Sequence, residues 1–287
     1  MRKEERVSWD KETTINAGLI GCGSIGSVIA KAIDRGEAGA ITLRSIYDII
    51  REHAEKLAST LSIRPIIAEY ADELLEDEKI HLVIEAASQD AVRQYAIKAL
   101  FEGKDLMVMS TGALLDDMLF REISKIAEKY GRKVYVPSGA IVGLDNIKAA
   151  AVRPIEEVTL ITRKPPQSFE GAPLIKEKHI NLSTLDKPLL LFEGPAREAV
   201  KLFPKNVNVS ASLSLAGIGP DRTKVRIIAD PHARNITHEI HVKGEFGEII
   251  TRTLNKPFPE NPKTSYIAAL SAIATLRKIS GNIIVGT

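Results

Sequence analysis

Apolar and polar positions along this chain follow two successive rhythms. In the first half, short apolar runs of strand length alternate with stretches whose apolar residues recur at helical spacing. The runs fall at residues 15–20, 40–47, 64–68, 81–87, 106–109 and 133–136, and the helical stretches at 27–33, 49–60, 71–75, 88–101 and 116–130. This alternation predicts a parallel sheet with helices on both faces. Past Val136 the rhythm changes. Strands are expected at 158–163, 189–194, 223–230, 236–243 and 246–254, and helices at 196–203 and 206–216. Residues 164–175, with Pro165, Pro166, Gly171 and Pro173, are expected to form a loop, and Gly244-Glu245 a hairpin turn. Strands in this succession pair in antiparallel or mixed fashion. A last helix is expected over 263–279, announced by Asn261-Pro262 and capped by Thr264 or Ser265. The predicted fold class is α/β: a doubly wound parallel sheet plus a second α+β domain with a mixed or antiparallel sheet.

Between the first strand and the first helix lies Gly21-Cys22-Gly23-Ser24-Ile25-Gly26, a G-x-G-x-x-G pattern. The six letters alone are a weak signal; the strand before them and the helix after them make the Rossmann-type dinucleotide fingerprint. Gly21 allows the tight turn, Gly23 lets a pyrophosphate approach the backbone, and Gly26 lets helix and strand pack closely. Ser24 and Ile25, within the loop, are further candidate cofactor contacts, and the helix that follows turns its free N–H groups to the phosphates. Asp48 ends the second predicted strand, 22 positions beyond Gly26, near the spacing of an acid that bonds the adenosine ribose. Its carboxylate favours NAD over NADP, whereas Arg51 lies within reach of a 2′-phosphate, so the cofactor is NAD or NADP. Asp48 as the cap of the following helix is a compatible, blander role. Small residues at three further strand ends, Ala86-Ala87-Ser88, Ser110-Thr111-Gly112 and Pro137-Ser138-Gly139-Ala140, leave room for a cofactor across the sheet edge.

Composition narrows the rest. The 287 residues suffice for two ordinary domains, and a net charge of +2 without a basic stripe argues against nucleic acid as a partner. No apolar run has the length of a membrane span, and the charged first 14 residues lack the apolar core of a signal peptide. A single cysteine excludes an internal disulfide and suits a cytoplasmic location. That cysteine, Cys22, fits a small buried residue better than a nucleophile. The six histidines make no metal-ligand spacing, so no metal is expected. In Asn-Ile-Thr-His-Glu-Ile-His-Val, strand alternation puts His238 on the face of Ile236, Ile240 and Val242, and His241 on the other. By pattern alone, a histidine among aliphatics is more often a satisfied core residue than a functional one.

Several segments nevertheless resemble one family, the L-aspartate dehydrogenases. They are GCGSIG, PSGAIVGLD at 137–145, EGPAREAVKLFPKNVNVSASLSLAG at 193–217, ADPHARNITHEI at 229–240 and NPKTSYIAALSAIATLR at 261–277. The resemblance covers residue 15 onward. It implies that His238 is the catalytic histidine. It also implies that Ala140 and an asparagine of the NVNV segment contact the cofactor; Asn208, 30 positions before His238, is taken as that asparagine. The implied reaction is NAD(P)-dependent oxidation of L-aspartate to an imine that water converts to oxaloacetate and ammonia, or that feeds nicotinamide nucleotide synthesis. A substrate with two carboxylates needs donors, for which Ser138, Asn206, Lys263, Thr264 and Ser265 are candidates. The implied division is a tail at 1–14, a dinucleotide-binding domain at 15–137, a substrate domain at 138–262, and a helix at 263–287 that returns to the first domain. The second sheet is the expected homodimer surface. Two alternatives are a dehydrogenase or imine reductase for another small acid, homoserine or a dihydrodipicolinate-like ring, and a non-enzymatic NAD-binding sensor.

Overall fold

Six strands and five helices alternate through the first half of the computed structural model, which describes residues 14–204, 208–258 and 261–286. The tail with Trp9, and Asn206, lie outside the described residues. The strands are β1 (Ile15–Ile20), β2 (Ile41–Tyr47), β3 (Ile66–Ile67), β4 (Leu82–Glu85), β5 (Asp105–Val108) and β6 (Val134–Tyr135). The helices between them are α1 (Ser24–Asp34), α2 (Arg51–Ala58), α3 (Ala71–Glu76), α4 (Gln89–Phe101) and α5 (Asp117–Tyr130). Every pairing in this sheet is parallel, in the order β3-β2-β1-β4-β5-β6. β4 is buried throughout and β1 from Ala17 onward, as strands covered on both faces must be. The order reverses between β1 and β4, and a crevice opens at the carboxyl ends of strands there. Local chemistry sets the helix starts: the Asp116 side chain accepts from the N–H groups of Met118 and Leu119 at 3.1 and 3.2 Å, satisfying two orphan donors of α5.

The second half adds α6 (Leu144–Ala150), β7 (Ile155–Lys164), α7 (Pro173–Glu177), β8 (Leu189–Pro195), α8 (Ala196–Leu202) and α9 (Asn208–Ala216). Strands β9 (Thr223–Ala229), β10 (Ile236–Gly244) and β11 (Gly247–Asn255) follow. They form a mixed sheet in the order β11-β10-β7-β9-β8, in which only β7 and β9 run parallel. One face carries Val158, Leu160, Val225, Ile227, Ile240 and Val242 and is covered by Ala196, Ala199, Val200, Ala211 and Leu213 of the helices. The other face is open, with Glu239, His241, Ile250 and Leu254 on it. A two-stranded ribbon, β12 (Pro257–Phe258) and β13 (Asn261–Ser265), leads into α10 (Tyr266–Ser280).

α10 does not stay with the second sheet. Its buried Ala272, Ile273 and Leu276 pack with Ile29, Ala30, Ala32 and Ile33 of α1 in one apolar core. Burying one such Leu or Ile side chain is worth about 1.5–3 kcal/mol. Arg197 of α8 further ties the two sheets together, reaching Asp117 at 3.1 Å and Asp221 at 2.6 Å.

The structure corrects several expected boundaries. α2 begins at Arg51, not at residue 49, because Ile49 and Ile50 are exposed and Asp48 accepts from the Ile50 N–H in a tight turn instead of capping the helix. The segment 164–175 is not a plain loop: β7 runs on to Lys164, and Pro173, tolerated at a helix start, opens α7. α6 was not expected. The hairpin tip is Glu245-Phe246, since Gly244 still pairs with Gly247. The last helix starts at Tyr266 because residues 261–265 are extended and pair with β12.

Candidate active site

The chain leaves β1 through Gly21, whose φ of 99° an L side chain rarely adopts. A Cβ there would also press on the Ala86 carbonyl at 2.7 Å and on the Ala87 Cα at 2.8 Å. A Cβ on Gly26 would strike the Gly21 carbonyl, so helix and loop can approach only through glycine. Gly23 is different: a Cβ there would meet nothing within 4 Å. It N-caps α1 without a side-chain cap, and no acidic residue stands in the first turn. Uncapped N–H groups and the positive end of the helix thus face open space of the kind a phosphate fills. The Asp48 carboxylate accepts from the Cys22 N–H at 2.7 Å, which fixes the acid beside the loop at the end of β2. Cys22 is buried, and burial first and Asp48 second push its thiol up to about 12, so it is no nucleophile.

From Ile25 a cleft continues between the two sheets. Its walls come from Val108, Met109 and Thr111 after β5, from Pro137, Gly139 and Ala140, from Asn208, Val209 and Ser212 of α9, and from Thr264, Ser265 and Ala268 around the start of α10. Lys164 and His238 close it from the covered face of the second sheet. His238 is 3% exposed and shares that face with Ile236, Ile240 and Val242, as the alternation predicts. It pairs laterally with Thr162, whose Oγ1 lies 3.0 Å from His238 Nδ1. Burial first, and the charge of Lys164 second, push the imidazole down to about 3. The ring is therefore neutral at physiological pH.

The turn after β6 is locked from several sides. The Ala140 carbonyl accepts from Asn255 Nδ2 at 2.8 Å and from Thr253 Oγ1 at 3.2 Å, and the Gly139 N–H donates to Ser271 Oγ at 3.0 Å. Asn208 Oδ1 accepts from the Gly112 N–H at 3.2 Å, and its carbonyl accepts from Thr111 Oγ1 at 2.8 Å. This joins the start of α9 to the turn after β5.

Ile25, Ala140, Asn208, His238, Thr264 and Ser265 thus meet in one cleft. Gly21, Gly23, Ser24 and Gly26 belong to the turn and helix start that hold Ile25, with Asp48 bonded to the Cys22 N–H and Ala86 and Ala87 packed against Gly21. Two candidates fall elsewhere, and the side chains of two are not described. Ser138 sits between lining residues without lining the cleft itself. Arg51 is turned along its helix to Glu55 at 2.9 Å. Lys263 lies in β13, its side chain outside the described residues, as Asn206 does entirely. Two residues escape the sequence reading. Lys164 is hidden by the two prolines that follow it, although Val158, Leu160, Thr162 and Lys164 keep strand alternation. Asn255, which pins Ala140, gives no local signal.

The residues present fit a dinucleotide: an open glycine, an uncapped helix start and an acid at the next strand end occupy the places that the ligand's parts require. Among the described residues no group of His, Cys, Asp or Glu could hold a metal ion, and no helix is long and apolar enough to cross a membrane.

Comparison with known proteins agrees with this geometry. Residues 21–137 match the family model described as homoserine dehydrogenase, NAD binding domain, and residues 145–279 that described as aspartate dehydrogenase, C-terminal. The chain is 50% identical over 273 residues to an L-aspartate dehydrogenase of Methanosarcina barkeri, covering 95% of this chain and 100% of the relative. An L-aspartate dehydrogenase of Nitrosopumilus maritimus is 42% identical over 270 residues, covering 94% and 98%. Among solved structures, aspartate dehydrogenase from Thermotoga maritima superposes with a TM-score of 0.73 at 25% identity, covering 95% of this chain and 99% of that one.

Proposed function

From the premise that this chain belongs to the L-aspartate dehydrogenase family, we propose that it oxidises L-aspartate with NAD or NADP, and that His238 is its acid–base residue. The observation that supports this most directly is the cleft whose lining includes both Ile25 of the glycine motif and the buried His238 imidazole. A bound dinucleotide would supply the acceptor for the hydride that leaves the substrate Cα. The chain supplies the rest. The start of α1 holds the pyrophosphate. Thr162 engages Nδ1 of His238, which leaves Nε2 as the nitrogen available to substrate. The neutral ring takes a proton from the substrate nitrogen as the carbon–nitrogen double bond forms. After giving it up to solvent, it takes another from the water that adds to the imine. The buried walls keep bulk water away until then. The balance is L-aspartate, NAD(P)⁺ and water going to oxaloacetate, ammonium, NAD(P)H and one proton, which leaves through His238 to solvent.

The test is an absorbance assay of purified protein with L-aspartate or homoserine, NAD and NADP side by side. Reduced cofactor forming with aspartate is expected. Turnover of homoserine alone makes the chain a different dehydrogenase, and cofactor binding with no turnover makes it a sensor.

Asp48 biases the site toward NAD, because a carboxylate repels a 2′-phosphate. Two unit charges about 4 Å apart near a surface repel by roughly 1–4 kcal/mol. Asp48→Ala is therefore expected to raise the NADP-to-NAD ratio of kcat/KM by about tenfold or more. An unchanged ratio leaves Asp48 a structural role, through its bonds to the Cys22 and Ile50 N–H groups. The open face of the second sheet, with Ile250 and Leu254 each more than 60% exposed, supports a homodimer through that face. The lone cysteine suits the reducing cytoplasm.

A further inference from the structure

Glu85 is the last residue of β4, where the strand order reverses beside β1, and it is 2% exposed. A carboxylate buried beside Ile20, Val83, Val92 and Val108 costs stability unless donors meet it. Here Oε1 accepts from the Ala87 N–H and from Ser110 Oγ, each at 2.8 Å, and Oε2 accepts from the Ser110 N–H at 2.9 Å. Burial raises the carboxyl above the usual carboxylate range, and these donors work against that rise. One side chain thus ties the turn after β4 to the turn after β5. The first turn packs on the glycine loop, since Ala86 and Ala87 stand against Gly21. The second holds α9: Thr111 Oγ1 donates to the Asn208 carbonyl, and the Gly112 N–H donates to Asn208 Oδ1. With Oδ1 taken, what Asn208 has left for a ligand in the cleft is its Nδ2 donor.

We propose that Glu85 is a positioning residue for the cofactor, which sets where Asn208 and the α9 wall stand relative to the glycine loop. This rests on the dehydrogenase reading above for what the cleft holds. The start of α1 and Asp48 answer to the pyrophosphate and the adenosine ribose. The α9 wall is left to the nicotinamide half, whose carboxamide and ribose hydroxyls can accept from a donor. Glu85 does not line the cleft itself: Met109 and Thr111 do, and Ser110 between them is bonded to Glu85. A carboxylate suits this place because it accepts on both oxygens, whereas an amide of the same shape accepts on one. In Glu85→Gln the oxygen fits best at Oε1, where two donors meet it, which sets the NH2 group against the Ser110 N–H. The bond to the first turn is then kept, and the backbone bond to the second is lost.

The experiment titrates NADH, and ADP-ribose, which lacks the nicotinamide, into wild type, Glu85→Gln, Ser110→Ala and Thr111→Val, with circular dichroism as the check of folding. Glu85→Gln is expected to weaken NADH about 3- to 10-fold, the worth of one ordinary hydrogen bond set out of place. ADP-ribose is expected to keep its wild-type affinity. A merely structural role would move both ligands together or neither. Ser110→Ala removes only the hydroxyl donor, and NADH is expected to weaken by about twofold or more, again without ADP-ribose. Thr111→Val acts on the next link, the bond to the Asn208 carbonyl. Combined with Glu85→Gln, it is expected to weaken NADH by less than the product of the two single effects, because both act through one chain of bonds. Equal weakening of NADH and ADP-ribose overturns the proposal, as do effects of Glu85→Gln and Thr111→Val that multiply in full. So does wild-type NADH affinity in folded Glu85→Gln protein or, where that variant does not fold, in Ser110→Ala protein. Every arm is a binding measurement, so wild-type protein that binds NADH in this way but oxidises no aspartate overturns the dehydrogenase reading alone.

Discussion

His238→Asn protein is expected to oxidise aspartate with kcat lower by about 10²–10⁴-fold, the usual worth of a positioned acid–base group. Cofactor affinity stays unchanged, because the glycine loop follows β1, in the other sheet. His241→Ala is expected to be nearly silent: His241 is on the open face, 2.6 Å from Glu239. A second readout shows that the right ring was removed. In the unfolded chain the imidazole titrates near ~6.5, whereas in the fold it does so at about 3. Between these values the unfolded state binds a proton that the native state refuses, so stability falls as the pH drops from about 6.5 toward 3. Asparagine does not titrate, and the variant's urea midpoint is expected to fall less than that of wild type over this range. Normal kcat in folded His238→Asn protein returns the residue to a core role.

Gly23→Val is expected to abolish cofactor binding with little loss of fold. A Cβ at this position meets nothing in the protein, so the added side chain projects into the space before α1. It blocks the backbone N–H groups that a pyrophosphate needs, and each hydrogen bond lost to a charged group costs about 1.5–3 kcal/mol. NADH titration by fluorescence is expected to show affinity weaker by roughly 30-fold or more, with the melting temperature of the cofactor-free protein unchanged. Gly26→Val serves as the contrast: its Cβ strikes the Gly21 carbonyl, and the melting temperature should drop. Wild-type affinity in Gly23→Val places the dinucleotide elsewhere.

The first sheet is legible in the sequence because its strands are buried on both faces and its helices amphipathic, so each element carries its own signal. The phase of His238 is legible for the same reason: period-two alternation survives from Ile236 to Val242. What the sequence hides is set by distant partners. Residues 261–265 look like a helix start, but pairing with Pro257–Phe258 draws them out as a strand. Lys164 reads as the first residue of a proline loop, because nothing local says that β10 and β9 flank it to its last residue. The cap role that the sequence leaves open to Asp48 is not taken up: its carboxylate accepts from the Cys22 N–H, 26 residues back. The role of Asn255 depends on a carbonyl more than a hundred residues away, at Ala140.

The return of α10 to α1 has a consequence for how the protein is made. Ala272, Ile273 and Leu276 complete the apolar core around Ile29 and Ile33, and Ser280 Oγ accepts from the Ala40 N–H at 3.2 Å. During synthesis all six parallel strands leave the ribosome before that plug exists. At about 5–20 residues per second, the intervening second domain delays it by on the order of ten seconds. Through that interval the outer flank of α1 is uncovered, and the nucleotide-binding half waits for a segment translated after its neighbour. Closing so long a loop is slow compared with local pairing, so the second domain has time to fold first. The flank of α1 around Ile29 and Ile33 is thus covered last, by a segment translated after the second domain.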